Sequence, residues 1–135
     1  MIGLLRENEK IVLKYKELNK SKIEKGITSY TIAELYEGVK RVESKKKMEG
    51  QLKILEILLK KFEKRKKIFS LTRNEAMKYA ELKIVLEKKG KPIPIMDLLI
   101  GTIAIVNNYK LITTDKNHFQ NLKDVYPSFN AEFWI

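Results

Sequence analysis

The chain has 135 residues, of which 44% are hydrophobic, enough for one domain with a core of its own. It has no cysteine and one histidine, which excludes disulfides, thiolate metal sites, a cysteine nucleophile and metal sites built from several histidines. The formal net charge of +11 favours a polyanionic partner, either a nucleic acid or an acidic protein. An equally good explanation is the lysine-rich composition typical of proteins from high-temperature organisms.

No segment of the chain predicts a membrane partner. No apolar run approaches the roughly 20 residues that span a bilayer. Charged residues interrupt the N-terminus from Arg6 onward, which excludes a signal peptide. We therefore expect a cytoplasmic protein. Because no linker, repeat or low-complexity tract divides the chain, we predict a single domain over residues 1–135.

Apolar periodicity and punctuating residues predict helices alternating with short strands. In chain order they are a helix over 6–20, a strand over 27–29, a helix from Thr31, a helix over 45–65, a strand over 68–70, a helix from Thr72 to about Lys89 that stops at Gly90, a loop held extended by Pro92 and Pro94, a helix over 97–107, a strand over 111–113 and a last strand over 133–135. Short apolar strands between helices favour an α/β fold with a parallel sheet covered on both faces.

Two helices carry more detailed predictions. Thr31 with Glu34, and Thr72 with Glu75, have the spacing of a capping box, in which the first residue caps the helix and the glutamate reaches back. The helix over 45–65 is amphipathic. Its predicted inner face consists of Leu52, Leu55, Leu59 and Phe62, widened by Ile54 and Leu58.

Three acidic residues fall at equivalent places in this order of elements. Glu34 opens the helix after the first strand, Asp97 opens the apolar helix, and Asp115 follows the strand over 111–113. In parallel α/β sheets the carboxyl ends of strands and the following helix N-termini share one edge, where ligands bind. Each acid also has a purely structural interpretation: Glu34 in a capping box, Asp97 as a helix cap, Asp115 as a turn residue.

Three oxygen donors without cysteine are the ligand set of a hard cation such as Mg²⁺ or Mn²⁺. Such an ion polarises a phosphate and lowers the pKa of bound water, which suits phosphodiester hydrolysis. The surplus lysines would then position the substrate backbone. The sequence contains no nucleophile-elbow motif, which argues against a Ser-His-Asp hydrolase. Its six glycines form no phosphate-binding loop, which argues against a nucleotide-binding kinase or dehydrogenase.

Three segments resemble the PIN-domain family, and in particular the toxins of VapBC toxin–antitoxin pairs. Residues 29–38, SYTIAELYEG, are similar to the family stretch S-x-T-x-x-E-L-x-x-G. Residues 90–100, GKPIPIMDLLI, resemble G-x-x-I-P-x-x-D-x-L-I, and residues 113–119, TTDKNHF, resemble T-x-[DN]-x-x-[DH]-F. The resemblance places family acids at Glu34, Asp97 and Asp115.

The resemblance implies a three-layer α/β/α fold with a central, mainly parallel sheet. It also implies a Mg²⁺- or Mn²⁺-dependent endoribonuclease that forms a homodimer and is held inactive by a cognate antitoxin. Thr113 and Ser29 become substrate-facing candidates, with an ordinary strand-end role as the alternative. For His118 we favour a structural role. Many family members carry a further acid at position 95, which is Ile95 here.

The chain departs from the family pattern at its start. Family members begin with an apolar strand ending in an aspartate, whereas residues 1–6 resemble the segment just after that aspartate. We expect the natural start to lie upstream; the alternatives are loss of activity or a strand supplied by a partner chain. The competing function is therefore a PIN-like module that binds RNA or an antitoxin without turnover. A basic helical DNA-binding protein is the third interpretation, but the sequence has no helix-turn-helix and no zipper.

Overall fold

The computed structural model describes residues 24–134, and these form five helices and four short strands. In chain order the elements are β1 (Ile27–Thr28), α1 (Ser29–Lys40), α2 (Lys45–Lys64), β2 (Ile68–Phe69), α3 (Arg73–Lys88), α4 (Ile95–Val106), β3 (Leu111–Thr113), α5 (Lys116–Val125) and β4 (Ala131–Phe133). The helix predicted over 6–20 lies outside the described residues. Within residues 24–134, no helix has both the length and the apolar character needed to cross a membrane.

The chain divides into two compact units, Met1–Phe69 and Ser70–Ile135. In the described part of the first unit, β1 pairs with β2 in parallel, with Ile27 opposite Ile68. Helices α1 and α2 pack together, and their apolar stripes form one cluster with β1. The buried members of that cluster are Ile27, Leu35, Val39, Leu55, Leu59 and Phe62.

Helix α2 follows its predicted inner face with one exception. Leu55, Leu59 and Phe62 are buried, as the spacing i, i+4, i+7 requires. Ile54, in contrast, is 60% exposed, so its assignment to the inner face was wrong. The reason is geometric: consecutive helical residues are about 100° apart, which turns Ile54 away from the face that buries Leu55.

Helix α1 begins earlier than predicted. Thr28, in extended conformation, is its N-cap, and the Thr28 hydroxyl accepts a hydrogen bond from the Thr31 backbone N–H at 3.0 Å. Ser29 is therefore helical and not the end of a strand. Because Thr31 occupies the third helical position, Glu34 lies beyond the first turn and the predicted capping box is wrong. Several hydroxyl residues stand side by side here, and all of them are good N-caps.

In the second unit, the capping box that starts α3 is confirmed: Thr72 is the N-cap, and its backbone N–H donates to the Glu75 carboxylate at 3.2 Å. The helix ends where Gly90 adopts a φ of +66°. The Gly90 N–H donates a hydrogen bond to the Glu87 carbonyl at 3.1 Å, and the Lys91 N–H donates one to the Leu86 carbonyl at 2.9 Å. These two hydrogen bonds form a Schellman motif. Glycine stabilises this motif because it has no Cβ and so adopts a positive φ without strain.

Helix α4 forms the centre of the second unit. It begins at Ile95, two residues before the predicted start, because Pro94 occupies the N-cap position with its fixed φ. Its apolar surface packs against α3 and α5. Six of its residues are buried: Leu98, Ile100, Gly101, Thr102, Ile103 and Ala104.

The last two strands, β3 and β4, pair in parallel, with Leu111 opposite Ala131 and Thr113 opposite Phe133. The last strand thus ends at Phe133, and the prediction of 133–135 was displaced. The described strands form two parallel pairs, β1 with β2 and β3 with β4. Parallel strands between helices agree with the predicted α/β class. That residues 1–135 form one domain stays a prediction.

Candidate metal centre

Two of the three predicted acids meet in the second unit. Asp97 is the third residue of α4, and Asp115 is the N-cap of α5, directly after β3. The chain turns between β3 and α5 with the Asp115 N–H donating to the Thr113 hydroxyl at 3.0 Å. Thr113 therefore shapes this turn. The carboxyl end of a strand and a helix N-terminus come together here, as the parallel α/β rule predicts.

His118 joins the two carboxylates. Its backbone N–H donates to Asp115 Oδ1 at 3.2 Å, and its ring Nδ1 lies 2.7 Å from Asp115 Oδ2. The same Nδ1 lies 3.0 Å from Asp97 Oδ2. One ligand atom from each of the three residues lies within 4.8 Å of the others. We call Asp97, Asp115 and His118 the acidic cluster.

The electrostatics of the acidic cluster favour a bound cation. Burial raises the pKa of Asp97, the neighbouring charge of Asp115 raises it further, and His118 partly offsets both. The pKa of His118 is raised mainly by its hydrogen bond to Asp115. The Asp97 side chain is only 16% exposed, so water screens its carboxylate poorly. A divalent ion would relieve their repulsion, and carboxylate oxygens suit Mg²⁺ or Mn²⁺. The donor set therefore fits such an ion.

Glu34, the third predicted acid, is described within the first unit as a half-buried residue of α1. Its convergence with Asp97 and Asp115 stays a prediction. Of the purely structural roles considered for the three acids, only that of Asp115 is seen. Glu34 is not in a capping box, and Asp97 does not cap α4, whose N-cap is Pro94. Asp115 does have a structural role, as the cap of α5.

Sequence reasoning did not place the ring of His118 beside the two carboxylates; the structural role that it favoured for this residue stays a prediction. Asp115 and His118 have the spacing of an N-cap and the third helical residue, the same spacing as Thr72 and Glu75. That spacing places both on one helical turn and could have indicated that the ring reaches back to the carboxylate. The approach of Nδ1 to Asp97 has no signal in the sequence, because it depends on how α4 and α5 pack.

Comparison with known proteins decides the family. The PIN domain profile matches residues 1–125. Over 108 residues the chain is 36% identical to Ribonuclease VapC2 of Rickettsia felis, a match that covers 80% of this chain and 72% of that protein.

The chain belongs to the PIN-domain family.

Solved structures agree with this assignment. VapBC2 from Rickettsia felis bound to a promoter DNA fragment contains a chain with a TM-score of 0.75 and 27% identity, covering 99% of this chain and 94% of that one. A chain of DNA-bound VapBC from Salmonella typhimurium has a TM-score of 0.76 and 21% identity, and the match covers 99% of this chain and 92% of that one. A chain of VapBC-1 from nontypeable Haemophilus influenzae has a TM-score of 0.74 and 21% identity, and the match covers 98% of this chain and 92% of that one. This PIN-domain protein is thus of the VapC type, and its α/β class is confirmed.

Proposed function

We propose that this PIN-domain protein is a Mg²⁺- or Mn²⁺-dependent endoribonuclease and the toxin of a type II toxin–antitoxin pair. The observation that carries the proposal is the approach of Asp97 and Asp115, the two acids of the family-like segments, within one acidic cluster. Its similarity to a protein named as a ribonuclease supports RNA as the substrate. We expect the protein to act in the cytoplasm.

The proposed roles follow from the side chains. Asp97 and Asp115 would hold the metal ion, and Glu34 would be the third carboxylate. When bound, the ion supplies Lewis-acid polarisation of a phosphate and lowers the pKa of water. The low exposure of Asp97 strengthens the attraction between its carboxylate and a cation, because the local dielectric is low.

The basic surface supports a nucleic-acid substrate. The net charge is +11, and helix α2 exposes seven lysines to solvent. These are Lys45, Lys46, Lys47, Lys53, Lys60, Lys61 and Lys64. Lysines attract phosphates without reading sequence, so this surface would bind the RNA backbone and leave the choice of cleavage site to other contacts.

An antitoxin partner is proposed because the three solved relatives are all VapBC complexes. We also propose that the protein forms a homodimer. Co-expression with the product of an adjacent antitoxin gene should yield a co-purifying complex, and light scattering of the purified protein should give twice the mass of 15.9 kDa.

A cleavage assay with matched variants tests the nuclease proposal. Wild-type protein should cut a structured RNA with Mn²⁺ and not with EDTA. Asp97→Asn should lower the rate about 100-fold or more, since it removes a charged metal ligand. Asp124→Asn is the control, because Asp124 is the chain's remaining aspartate and lies at the surface, paired with Lys91. For Glu34→Gln the control is Glu37→Gln, an exposed neighbour on α1.

The outcomes separate the two functions. Equal rates for Asp97→Asn and Asp124→Asn would contradict the metal role of the acidic cluster. If the wild-type chain binds RNA or the antitoxin but cuts no RNA with any metal, the binding module without turnover replaces the nuclease.

A further inference from the structure

We propose that His118 is a third ligand of the metal ion, binding it through Nδ1 beside Asp97 and Asp115. The inference rests on the proposed metal site and goes further, because it assigns a nitrogen to the donor set. It also predicts which ion the site prefers: Mn²⁺ over Mg²⁺.

The distances from Nδ1 to the two carboxylate oxygens match those between neighbouring ligands on one ion. An octahedral ion with bonds of about 2.1 Å holds adjacent ligand atoms about 3.0 Å apart. In the acidic cluster, Nδ1 lies 2.7 Å from Asp115 Oδ2 and 3.0 Å from Asp97 Oδ2. An ion that bound both of these oxygens would therefore have Nδ1 within reach without movement of the helices. On binding, the ion would displace to solvent the proton that Nδ1 shares with the carboxylates, and the neutral ring would keep its proton on Nε2.

The backbone fixes His118 in this position. Asp115 caps α5, and the His118 N–H donates to Asp115 Oδ1, so the two residues share one helical turn. Next to His118, the Phe119 side chain is buried at 3% exposure and anchors that turn in the core of the second unit. The ring is thus presented from a rigid helix start, which is the kind of support that metal ligands need.

The nitrogen changes the preference of the site. Mg²⁺ selects oxygen ligands and keeps several waters, whereas imidazole suits the first-row transition ions. Two carboxylates and one imidazole therefore favour Mn²⁺, and Co²⁺ more strongly still, over Mg²⁺. A site with oxygen ligands alone would discriminate less between Mn²⁺ and Mg²⁺.

The test uses the fact that the chain has a single histidine. Protein labelled with ¹⁵N-histidine is loaded with Mn²⁺, and pulsed electron paramagnetic resonance measures the coupling of the metal to nitrogen. We expect a directly bound ¹⁵N, whose coupling changes between ¹⁴N- and ¹⁵N-labelled samples. Because no other imidazole exists in the chain, the signal can come from His118 alone.

Titration calorimetry with Mn²⁺ and Mg²⁺ provides a second readout that does not depend on RNA cleavage. His118→Asn, which keeps a polar side chain of similar reach, should raise the Kd for Mn²⁺ at least about tenfold and narrow the difference between the two ions. Asp124→Asn, on the same helix and outside the acidic cluster, should leave both Kd values unchanged.

The possible failures can be told apart. If Mn²⁺ binds and Asp97→Asn weakens it but no histidine coupling appears, His118 only positions the carboxylates and this inference is overturned. Equal loss of affinity for both ions in His118→Asn has the same meaning. If Mn²⁺ does not bind, or binds equally well to Asp97→Asn, the proposed metal site itself fails.

Discussion

Individual side chains in the second unit serve more than one partner. Glu75 is 5% exposed, and its carboxylate closes the capping box of α3 with Thr72. Its other oxygen accepts a hydrogen bond from Asn107 Nδ2 at 3.2 Å. Asn107 is in turn the C-cap of α4. A single buried carboxylate thus connects the start of one helix with the end of another.

The role of Glu75 can be measured as stability. Glu75→Ala removes the carboxylate that accepts hydrogen bonds from the Thr72 N–H and the Asn107 amide. Because Thr72 is exposed and Asn107 half-buried, water replaces part of this loss, and the change should cost about 1–2 kcal/mol of unfolding free energy. Glu81→Ala, on the exposed side of the same helix, should change stability by no more than about 0.5 kcal/mol. Urea unfolding of both variants compares them; equal midpoints would show that Glu75 contributes nothing beyond a surface glutamate.

Which side chains come together was partly predictable. Asp97 and Asp115 could be placed at one edge because the carboxyl ends of parallel strands meet there. The capping box of Thr72 and Glu75 was predictable from spacing alone. The start of α1 was not, since Thr28, Ser29 and Thr31 are all competent caps and tertiary packing chooses among them. The ring of His118 depends on its rotamer and on helix packing, which the sequence does not encode locally.

Helices α4 and α5 pack closely against each other at Gly101. Gly101 of α4 is buried, and a Cβ built on it would lie 2.5 Å from Leu122 Cδ2 and 3.5 Å from Phe119 Cε1. Leu122 is fully buried, so its side chain can withdraw only by displacing its neighbours in the close-packed core. The approach of these helices, which carry Asp97 and His118, therefore depends on the missing side chain of one glycine.

Gly101→Ala should destabilise the protein even though alanine favours helix. Overpacking costs about 1–3 kcal/mol, which outweighs the gain of about 1 kcal/mol in helix propensity. Gly50→Ala in α2 is the matched control, because nothing lies within 4 Å of its added Cβ, and it should be stabilising. Thermal unfolding of the two variants should give shifts of opposite sign. A rise in Tm for Gly101→Ala would contradict the close contact.

Element boundaries were predictable to within a few residues wherever a strong local signal existed. Gly90 marked the end of α3 because its positive φ suits glycine. The apolar helix α4 was identified by composition, but its start was misplaced, since Pro94 takes the N-cap position that the sequence suggested for Asp97. The error over Ile54 came from widening a helical stripe beyond the face that packing covers.

At the scale of the whole molecule, charge is the dominant property. A net charge of +11 on 135 residues creates a positive potential that attracts RNA irrespective of its sequence. The proposed nuclease function explains why such a surface would be useful. A VapC-type protein that cuts RNA needs to hold the phosphate backbone before any one bond is broken.

Binding of RNA should therefore weaken strongly with salt. For single-stranded RNA, about four phosphate contacts give a slope near −2.8 for log K against log salt, or about a 50-fold loss of affinity between 50 and 200 mM KCl. Asp97→Asn protein allows the measurement without cleavage, by fluorescence anisotropy of a labelled RNA. An affinity independent of salt would show that the positive surface does not contact the phosphates.

The two roles of Asp115 affect how such a protein can evolve. It both caps α5 and, as proposed, binds the ion. Asparagine caps a helix as well as aspartate does, but it lacks the charge that a metal needs. On the proposed function, one substitution at this position would remove the toxic activity and leave the folding intact, so that a cell escaping the toxin would inherit a stable protein still able to bind an antitoxin.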